Sequence, residues 1–327
     1  MITRYKEIAM PVTIDSIKRI HIAGAGIMGA SLGLIFARNG YDVIIYDSFE
    51  KGIEKGKNLI DTNIGVPSWR DGKTEAEMRE IILSKISFTQ DMNCFANAQF
   101  VIEAIFEKLE VKYEFWEKAS AIIPEDAILT TNTSGLSITK IALKVKNPQR
   151  FAGMHWINPP HLIPLVEVIA GEKTDLALLD KIADLSRRVG KYPISVKKDV
   201  PGFVLNRIQF CILREAMHLV EAGVASAEDV DNVMKYALGI RYACLGPFQV
   251  ADLGGLDTFH NIASYLFADL CNDKEPQALL KNLHSAGNYG VKTTKGFYDY
   301  SNGKDKQTIQ KRDDDFIRIT KTLFEKS

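Results

Sequence analysis

Residues 18–47 constrain this chain more than any other stretch. They read Lys18-Arg-Ile-His-Ile-Ala-Gly-Ala-Gly-Ile-Met-Gly-Ala-Ser-Leu-Gly and, after a short interval, Tyr41-Asp-Val-Ile-Ile-Tyr-Asp47. Ile20 to Ala23 is a short apolar run closed by a glycine turn, which suits a parallel strand buried on both faces. Gly24, Gly26 and Gly29 follow in G-x-G-x-x-G spacing. Ala30 to Asn39 continues as a helix, with Gly40 at the usual left-handed cap. Val43 to Tyr46 is the second strand, and Asp47 ends it. Each position has a mechanical reason. Gly24 permits the tight turn, Gly26 allows a pyrophosphate to approach the backbone, and Gly29 lets the helix lie close on the strand. The helix N-terminus offers free N–H groups and positive dipole to phosphates. Asp47 stands where a carboxylate accepts from ribose hydroxyls and repels a 2′-phosphate.

A lone glycine motif is weak evidence, but here strand, glycines, helix, second strand and terminal acid occur in order. The expectation is a bound dinucleotide, NAD rather than NADP, touched by Gly24, Gly26, Ile27, Met28, Gly29 and Asp47.

The 41 basic residues balance 41 acidic ones, so no overall field attracts nucleic acid or an anionic membrane. Cys94, Cys211, Cys244 and Cys271 are scattered without C-x-x-C spacing, which indicates neither a zinc site nor a disulfide framework. No metal is expected. Without a membrane-length apolar run or a signal-peptide core, the chain reads as soluble and cytoplasmic.

Further buried strands are expected at Phe100 to Ile105, Ala127 to Thr130, Gln149 to His155 and Leu165 to Ile169. The βα alternation implies a doubly wound, Rossmann-type α/β sheet domain. Residues 1–17 form a polar lead-in. Two helices, Phe49 to Ile60 and Thr74 to Lys85, flank a turn-rich patch over 65–72 and suggest a hairpin projecting from the sheet. Thr74-Glu-Ala-Glu77 resembles a capping box. After Asp199 the strand-like runs largely stop. Helices are expected over Phe203 to Ala222 (capped by Gly223), Ala227 to Tyr236 and Leu256 to Leu270. The domains are therefore placed at 1–198 and 199–327, the second smaller and all-helical. It ends in a charged tail over 301–327 with one amphipathic stretch, Phe316 to Phe324. The helices carry apolar residues on more than one face, which is compatible with a buried contact between two copies.

The most informative polar cluster is Gly153-Met-His-Trp-Ile-Asn-Pro-Pro-His-Leu-Ile-Pro-Leu-Val-Glu-Val168. Strand-turn-strand geometry can bring Glu167 beside His155. A carboxylate on one imidazole nitrogen fixes the tautomer and leaves the other nitrogen as a general base. Alone, His155 would read as a structural histidine; beside a dinucleotide site, with Glu167 and Asn158 in register, it reads as the base. His161 suits the rim, His218 a helix interior, and His21, His260 and His284 have no expected role.

Together, the glycine loop, Val101-Ile-Glu-Ala-Ile-Phe-Glu107, Asn132-Thr-Ser134, the 153–168 cluster and Val200-Pro-Gly-Phe-Val-Leu-Asn206-Arg resemble the L-3-hydroxyacyl-CoA dehydrogenase family. Gly246-Pro-Phe and Gly296-Phe-Tyr add to the likeness, which covers about residues 18–300. The resemblance implies that His155 is the base and Glu167 its partner. It implies that Ser134, Asn158 and Asn206 hold the substrate's oxygen atoms, Asn206 reaching across the cleft from the helical domain. Glu107 and Lys112 would line the nicotinamide half of NAD, bordered by Asn132, Ser134 and Asn158. The helical domain would form a homodimer.

Two departures bear on the substrate. Family members acting on acyl-CoA usually carry several lysines after the second strand. Here Lys51, Lys55 and Lys57 are followed by the nearly uncharged Asn58-Leu-Ile-Asp-Thr-Asn-Ile-Gly65. The Asn-Pro-Pro-His turn and Gly239-Ile-Arg-Tyr-Ala243 are also similar to relatives that oxidise free acids: the gulonate, carnitine and pyridine-carboxylate dehydrogenases. Arg241 could pair with a carboxylate or stand as a surface or interface residue. The first reading is a short-chain 3-hydroxyacyl-CoA substrate, with a small free acid as the alternative. A non-catalytic protein is a remote third, since crystallins were recruited from this family; the intact His155–Glu167 pair argues against it.

Overall fold

A computed structural model describes residues 13–64 and 74–324. Most of the lead-in and the turn-rich patch over 65–72 lie outside these. Contacts divide the chain into two compact units, Met1–Asn206 and Arg207–Ser327, a few residues beyond the boundary expected at Asp199.

The first unit is an eight-stranded sheet in the order β3-β2-β1-β4-β5-β6-β7-β8. Its elements run β1 (Arg19–Ala23), α1 (Ile27–Arg38), β2 (Asp42–Tyr46), α2 (Glu50–Asn63), α3 (Glu75–Lys85) and β3 (Ile86–Thr89). Then come β4 (Phe100–Glu103), α4 (Leu109–Ile122), β5 (Ile128–Thr131), α5 (Ile138–Ile141), β6 (Phe151–Trp156), β7 (Leu165–Ala170), α6 (Leu176–Arg188) and β8 (Tyr192–Val196). Every neighbouring pair is parallel except β6 and β7, which are antiparallel. Two apolar cores sandwich the sheet. Ile20, Ile22, Val43 and Ile45 face Leu32, Phe36, Ile60 and Ile182 on one side. Val101, Leu129 and Phe151 face Phe115, Trp116 and Ile141 on the other. This is the expected doubly wound arrangement.

One expectation changes. The helices α2 and α3 do not project. Ile53, Ile60, Met78 and Ile82 are buried, and both helices pack along α1 as the crossover from β2 to β3. The reason is β3, an edge strand whose sequence Ile-Ser-Phe-Thr is too short and mixed to stand out. Its counterpart β8 closes the other edge and was equally unforeseen; Pro193 sits in it, a residue tolerated only on sheet edges. The capping box at Thr74 is present, with Thr74 and Glu77 each bonding the other's backbone N–H. The end of the lead-in is ordered, with Ile14 and Ile17 buried.

In the second unit, α7 (Leu205–Glu221, starting in the first) is capped by Gly223 at φ 70°. A helical run follows: α8 (Ala227–Val233), a π turn (Met234–Leu238) and α9 (Gly239–Cys244). Then come α10 (Pro247–Gly254), α11 (Leu256–Asp269), α12 (Ala278–Ser285) and α13 (Lys304–Phe324). The amphipathic stretch at 316–324 is thus the end of a longer helix. No helix among the described residues is long and apolar enough to cross a membrane.

Candidate active site

The glycine turn has the geometry its spacing predicts. Gly24 adopts φ 103°, and a Cβ there would sit 2.6 Å from the Ala104 carbonyl oxygen. A Cβ on Gly29 would collide with the Gly24 carbonyl, so both glycines are demanded by the protein itself. Gly26 differs. Nothing lies within 4 Å of a Cβ built there, and no side chain caps the α1 N-terminus that it precedes. Open space against unoccupied N–H groups is what a pyrophosphate requires. Asp47 Oδ2 accepts from the Ala25 N–H at 2.9 Å and Oδ1 from the Phe49 N–H at 3.0 Å, so the carboxylate is fixed at the end of β2. These residues fit NAD.

The strand ends of β4 and β5 carry a polar network that ties several expected residues together. Glu107 accepts from the Thr133 hydroxyl (2.5 Å) and the Ser134 N–H (2.9 Å), and pairs with Lys112 at 3.2 Å. Burial pushes the Glu107 carboxyl up, but Thr133, Lys112 and Ser134 outweigh it and hold it below the ordinary value. Beneath lies Glu103, part of the Val101–Glu107 motif but given no role from the sequence. Fully buried, it accepts from Lys112 Nζ (2.5 Å), the Thr131 hydroxyl (2.7 Å), the Ile105 N–H (3.0 Å) and Trp116 Nε1 (3.3 Å). An acid inside the apolar run Val101-Ile-Glu-Ala-Ile was the available signal, since a buried carboxylate must be paired. Asn132 Oδ1 accepts from the Trp156 N–H at 2.8 Å, joining this loop to the end of β6.

His155 and Glu167 face each other directly in the antiparallel β6–β7 register. His155 Nδ1 lies 2.8 Å from Glu167 Oε2, and both side chains are buried. Glu167 Oε1 accepts from the backbone N–H groups of Val204 (3.0 Å) and Leu205 (2.9 Å). Burial raises the Glu167 carboxyl, but His155 and these two N–H groups outweigh it and keep it ionised below its usual range. The two backbone donors were not foreseen. They are presented by the Pro201-Gly-Phe turn, where Gly202 (φ 78°) and Phe203 (φ 50°) are both left-handed. The Phe203 ring packs 5.8 Å from that of His155.

Asn206 Nδ2 donates to the Ser134 carbonyl oxygen at 2.8 Å. It belongs to the sheet unit and not to the helical one, a correction to its expected place, because the segment leading into α7 is tied to Glu167. Asn158 is exposed and opens the turn after β6. Arg241 stands exposed on α9 in the helical unit. No group of His, Cys, Asp or Glu among the described residues is arranged to hold a metal.

The NAD binding domain of 3-hydroxyacyl-CoA dehydrogenase matches residues 19–200, and the C-terminal domain of the same enzymes matches 202–300. The chain belongs to the 3-hydroxyacyl-CoA dehydrogenase family. Among its relatives, a probable 3-hydroxybutyryl-CoA dehydrogenase of Bacillus subtilis is 38% identical over 87% of this chain and 98% of its own. The 5-formyl-3-hydroxy-2-methylpyridine 4-carboxylate 5-dehydrogenase of Mesorhizobium japonicum is 34% identical over 94% and 98%. A crystal structure of a dehydrogenase of that pyridine carboxylate, described as an NAD+-dependent dismutase, superposes with TM-score 0.87 at 33% identity, covering 95% of this chain and 100% of that one. The (S)-3-hydroxybutyryl-CoA dehydrogenase of Ralstonia eutropha gives 0.72 at 33% identity, over 88% and 100%. As a member of the 3-hydroxyacyl-CoA dehydrogenase family, the chain is an NAD-dependent oxidoreductase acting on a CH–OH group.

Proposed function

We propose that this protein reversibly oxidises the 3-hydroxyl of a short-chain L-3-hydroxyacyl-CoA to the 3-ketoacyl-CoA. The observation that carries the reading is the buried His155–Glu167 pair, held in register in the same sheet as a glycine turn that fits NAD. Several relatives named as 3-hydroxybutyryl-CoA dehydrogenases support the thioester.

NAD, when bound, supplies the hydride acceptor. The carboxylate of Glu167 accepts from Nδ1–H of His155, which leaves Nε2 unprotonated to take the substrate hydroxyl proton. Glu167 then stabilises the imidazolium, and its own backbone donors prevent it from taking the proton. Ser134, Asn158 and Asn206 are assigned to the substrate's oxygen atoms, with Ser134 held by Glu107 and Asn206. Glu107 and Lys112 are assigned to the nicotinamide side. The decisive experiment follows NADH absorbance with (S)-3-hydroxybutyryl-CoA, and its loss with acetoacetyl-CoA. Turnover in both directions supports the reading, and failure in both removes it.

A free hydroxy acid or hydroxymethyl heterocyclic carboxylate is a second reading, favoured by one observation. The likeness to the pyridine-carboxylate dehydrogenase spans 94% of the chain, whereas the hydroxybutyryl-CoA relatives match 85–88%. Arg241 is its candidate carboxylate partner. Oxidation of a free acid that collapses in Arg241→Ala, without activity on acetoacetyl-CoA, would put this reading first.

A homodimer through the helical unit is part of the proposal. Among its described residues Met217 is the one buried hydrophobic, while Phe248 (86% exposed), Leu253 (76%), Tyr236 (74%) and Phe267 (73%) face outward. Helices that bury no core need a partner surface. Light scattering after gel filtration is expected to give twice the 36.5 kDa chain mass. Four free thiols support a reducing compartment, the cytoplasm.

A further inference from the structure

We infer that Lys191 is a positioning residue for the substrate side of the site, acting through the turn that carries Asn158. It lies between α6 and β8 and is nearly buried, yet neither a carboxylate nor a motif accounts for it. Its ammonium donates to the Pro160 carbonyl oxygen at 2.6 Å and to that of Ile163 at 3.0 Å. It also lies 5.8 Å from the centre of the Trp156 ring. Trp156, Pro160 and Ile163 bracket Asn158 on the chain, so one cation fastens the turn on both sides. The peptide N–H of Tyr192 adds a bond to the Pro164 carbonyl oxygen at 2.9 Å. From the other direction Asn132 holds the Trp156 N–H, so the end of β6 is gripped from β5 and from β8.

A buried lysine satisfied by carbonyl dipoles rather than by an anion is an expensive choice for mere packing. Burial, reinforced by the positive charge of Arg38 at the end of α1, lowers the Lys191 pKa to about 8. Among the described residues Arg38 is the charged group that acts on it, and no acid offsets it. As pH rises through about 8 the ammonium becomes an amine, with fewer donors and no charge to hold two carbonyls and a ring. The sign is opposite for the fold. A lysine whose pKa is lower folded than unfolded stabilises the native state progressively as pH rises between the two values. Loosening of the turn is thus predicted where global stability, as far as this lysine governs it, increases. A purely structural role does not produce that divergence.

The inference rests on the reading of Asn158 as a substrate-side residue, so the test includes Asn158→Ala. KM for (S)-3-hydroxybutyryl-CoA is measured between about pH 7 and about pH 10 for wild type, Lys191→Arg and Lys191→Met. Arginine keeps its charge throughout. In wild type KM is expected to rise about tenfold as pH passes 8. The Lys191→Arg profile should be flat. Lys191→Met should show the raised KM at every pH, with NAD affinity by tryptophan quenching within about twofold of wild type. An alkaline rise that persists unchanged in Lys191→Arg overturns the inference, even if Lys191→Met fails to fold. Asn158→Ala without effect on KM overturns the reading of Asn158 instead. Asn158→Ala that raises KM while both lysine variants match wild type overturns the role of Lys191 alone.

Discussion

Glu167 bonds His155 Nδ1 through one carboxylate oxygen and two consecutive backbone N–H groups, those of Val204 and Leu205, through the other. Orientation of the His155 imidazole is therefore shared between a side chain on β7 and the turn leading into α7. His155→Ala is expected to lower kcat by about 10²–10⁴-fold, the range of general acid–base catalysis, without loss of NAD binding. Glu167→Gln should cost less, because the amide still bonds the imidazole. Steady-state kinetics alongside an NAD titration checks both, and equal, negligible effects would return His155 to a structural role.

Asp47 should set cofactor preference. Asp47→Ala is expected to narrow the gap between NAD and NADP by removing like charge from the site of a 2′-phosphate. The same change removes the acceptor for the Ala25 N–H, so affinity for NAD itself should also fall. A charge-assisted bond worth about 1.5–3 kcal/mol corresponds to roughly 10–100-fold. Parallel KM measurements for the two cofactors decide. Equal use of both by wild type would be incompatible with this role.

The first and second motif glycines should fail differently. Gly24→Ala forces a side chain onto a left-handed backbone and against the Ala104 carbonyl, so melting temperature and NAD binding should drop together. Gly26→Ala meets no protein atom within 4 Å and should melt like wild type while binding NAD at least about tenfold more weakly. Thermal melts with and without NAD separate the two, and unimpaired NAD binding by Gly26→Ala would show that the space is not used.

His21 should make the fold acid-sensitive. It sits fully buried on β1 with its ring 5.8 Å from Phe95, and burial together with Arg19 lowers its pKa from 6.5 to about 4. The unfolded chain takes up this proton first, so stability falls as pH drops from 6.5 towards 4. At 1.36 kcal/mol per pKa unit the loss amounts to roughly 3 kcal/mol. Urea unfolding across this range should show a shallower pH slope in His21→Phe, and an unchanged slope would assign the acid sensitivity elsewhere.

The interior of the sheet was legible because parallel strands covered on both faces become continuous apolar runs, as in Val43–Tyr46 and Phe100–Glu103. Both edge strands escaped for the converse reason. β3 alternates a serine and a threonine with its apolar residues, and three of the five β8 positions are neither buried nor apolar enough to form a pattern. The pairing of His155 with Glu167 was legible from strand-turn-strand spacing. Lys191 and the Val204–Leu205 amides were not, since their contacts depend on groups brought from other strands or on the peptide backbone, which leaves no mark on residue type.

The two amides that support Glu167 also limit where the chain can be divided. The family's NAD binding domain matches to residue 200, ahead of both donors. A fragment ending there would keep every strand and, apart from the buried Phe203, both cores. It would nevertheless leave Oε1 of a fully buried carboxylate without its two N–H partners, at about 1–3 kcal/mol for each lost bond. The sheet unit is thus not a portable module at that cut. Chimaeras that exchange helical halves between relatives should cross over after Asn206, so that each sheet carries away the turn that holds its Glu167 carboxylate.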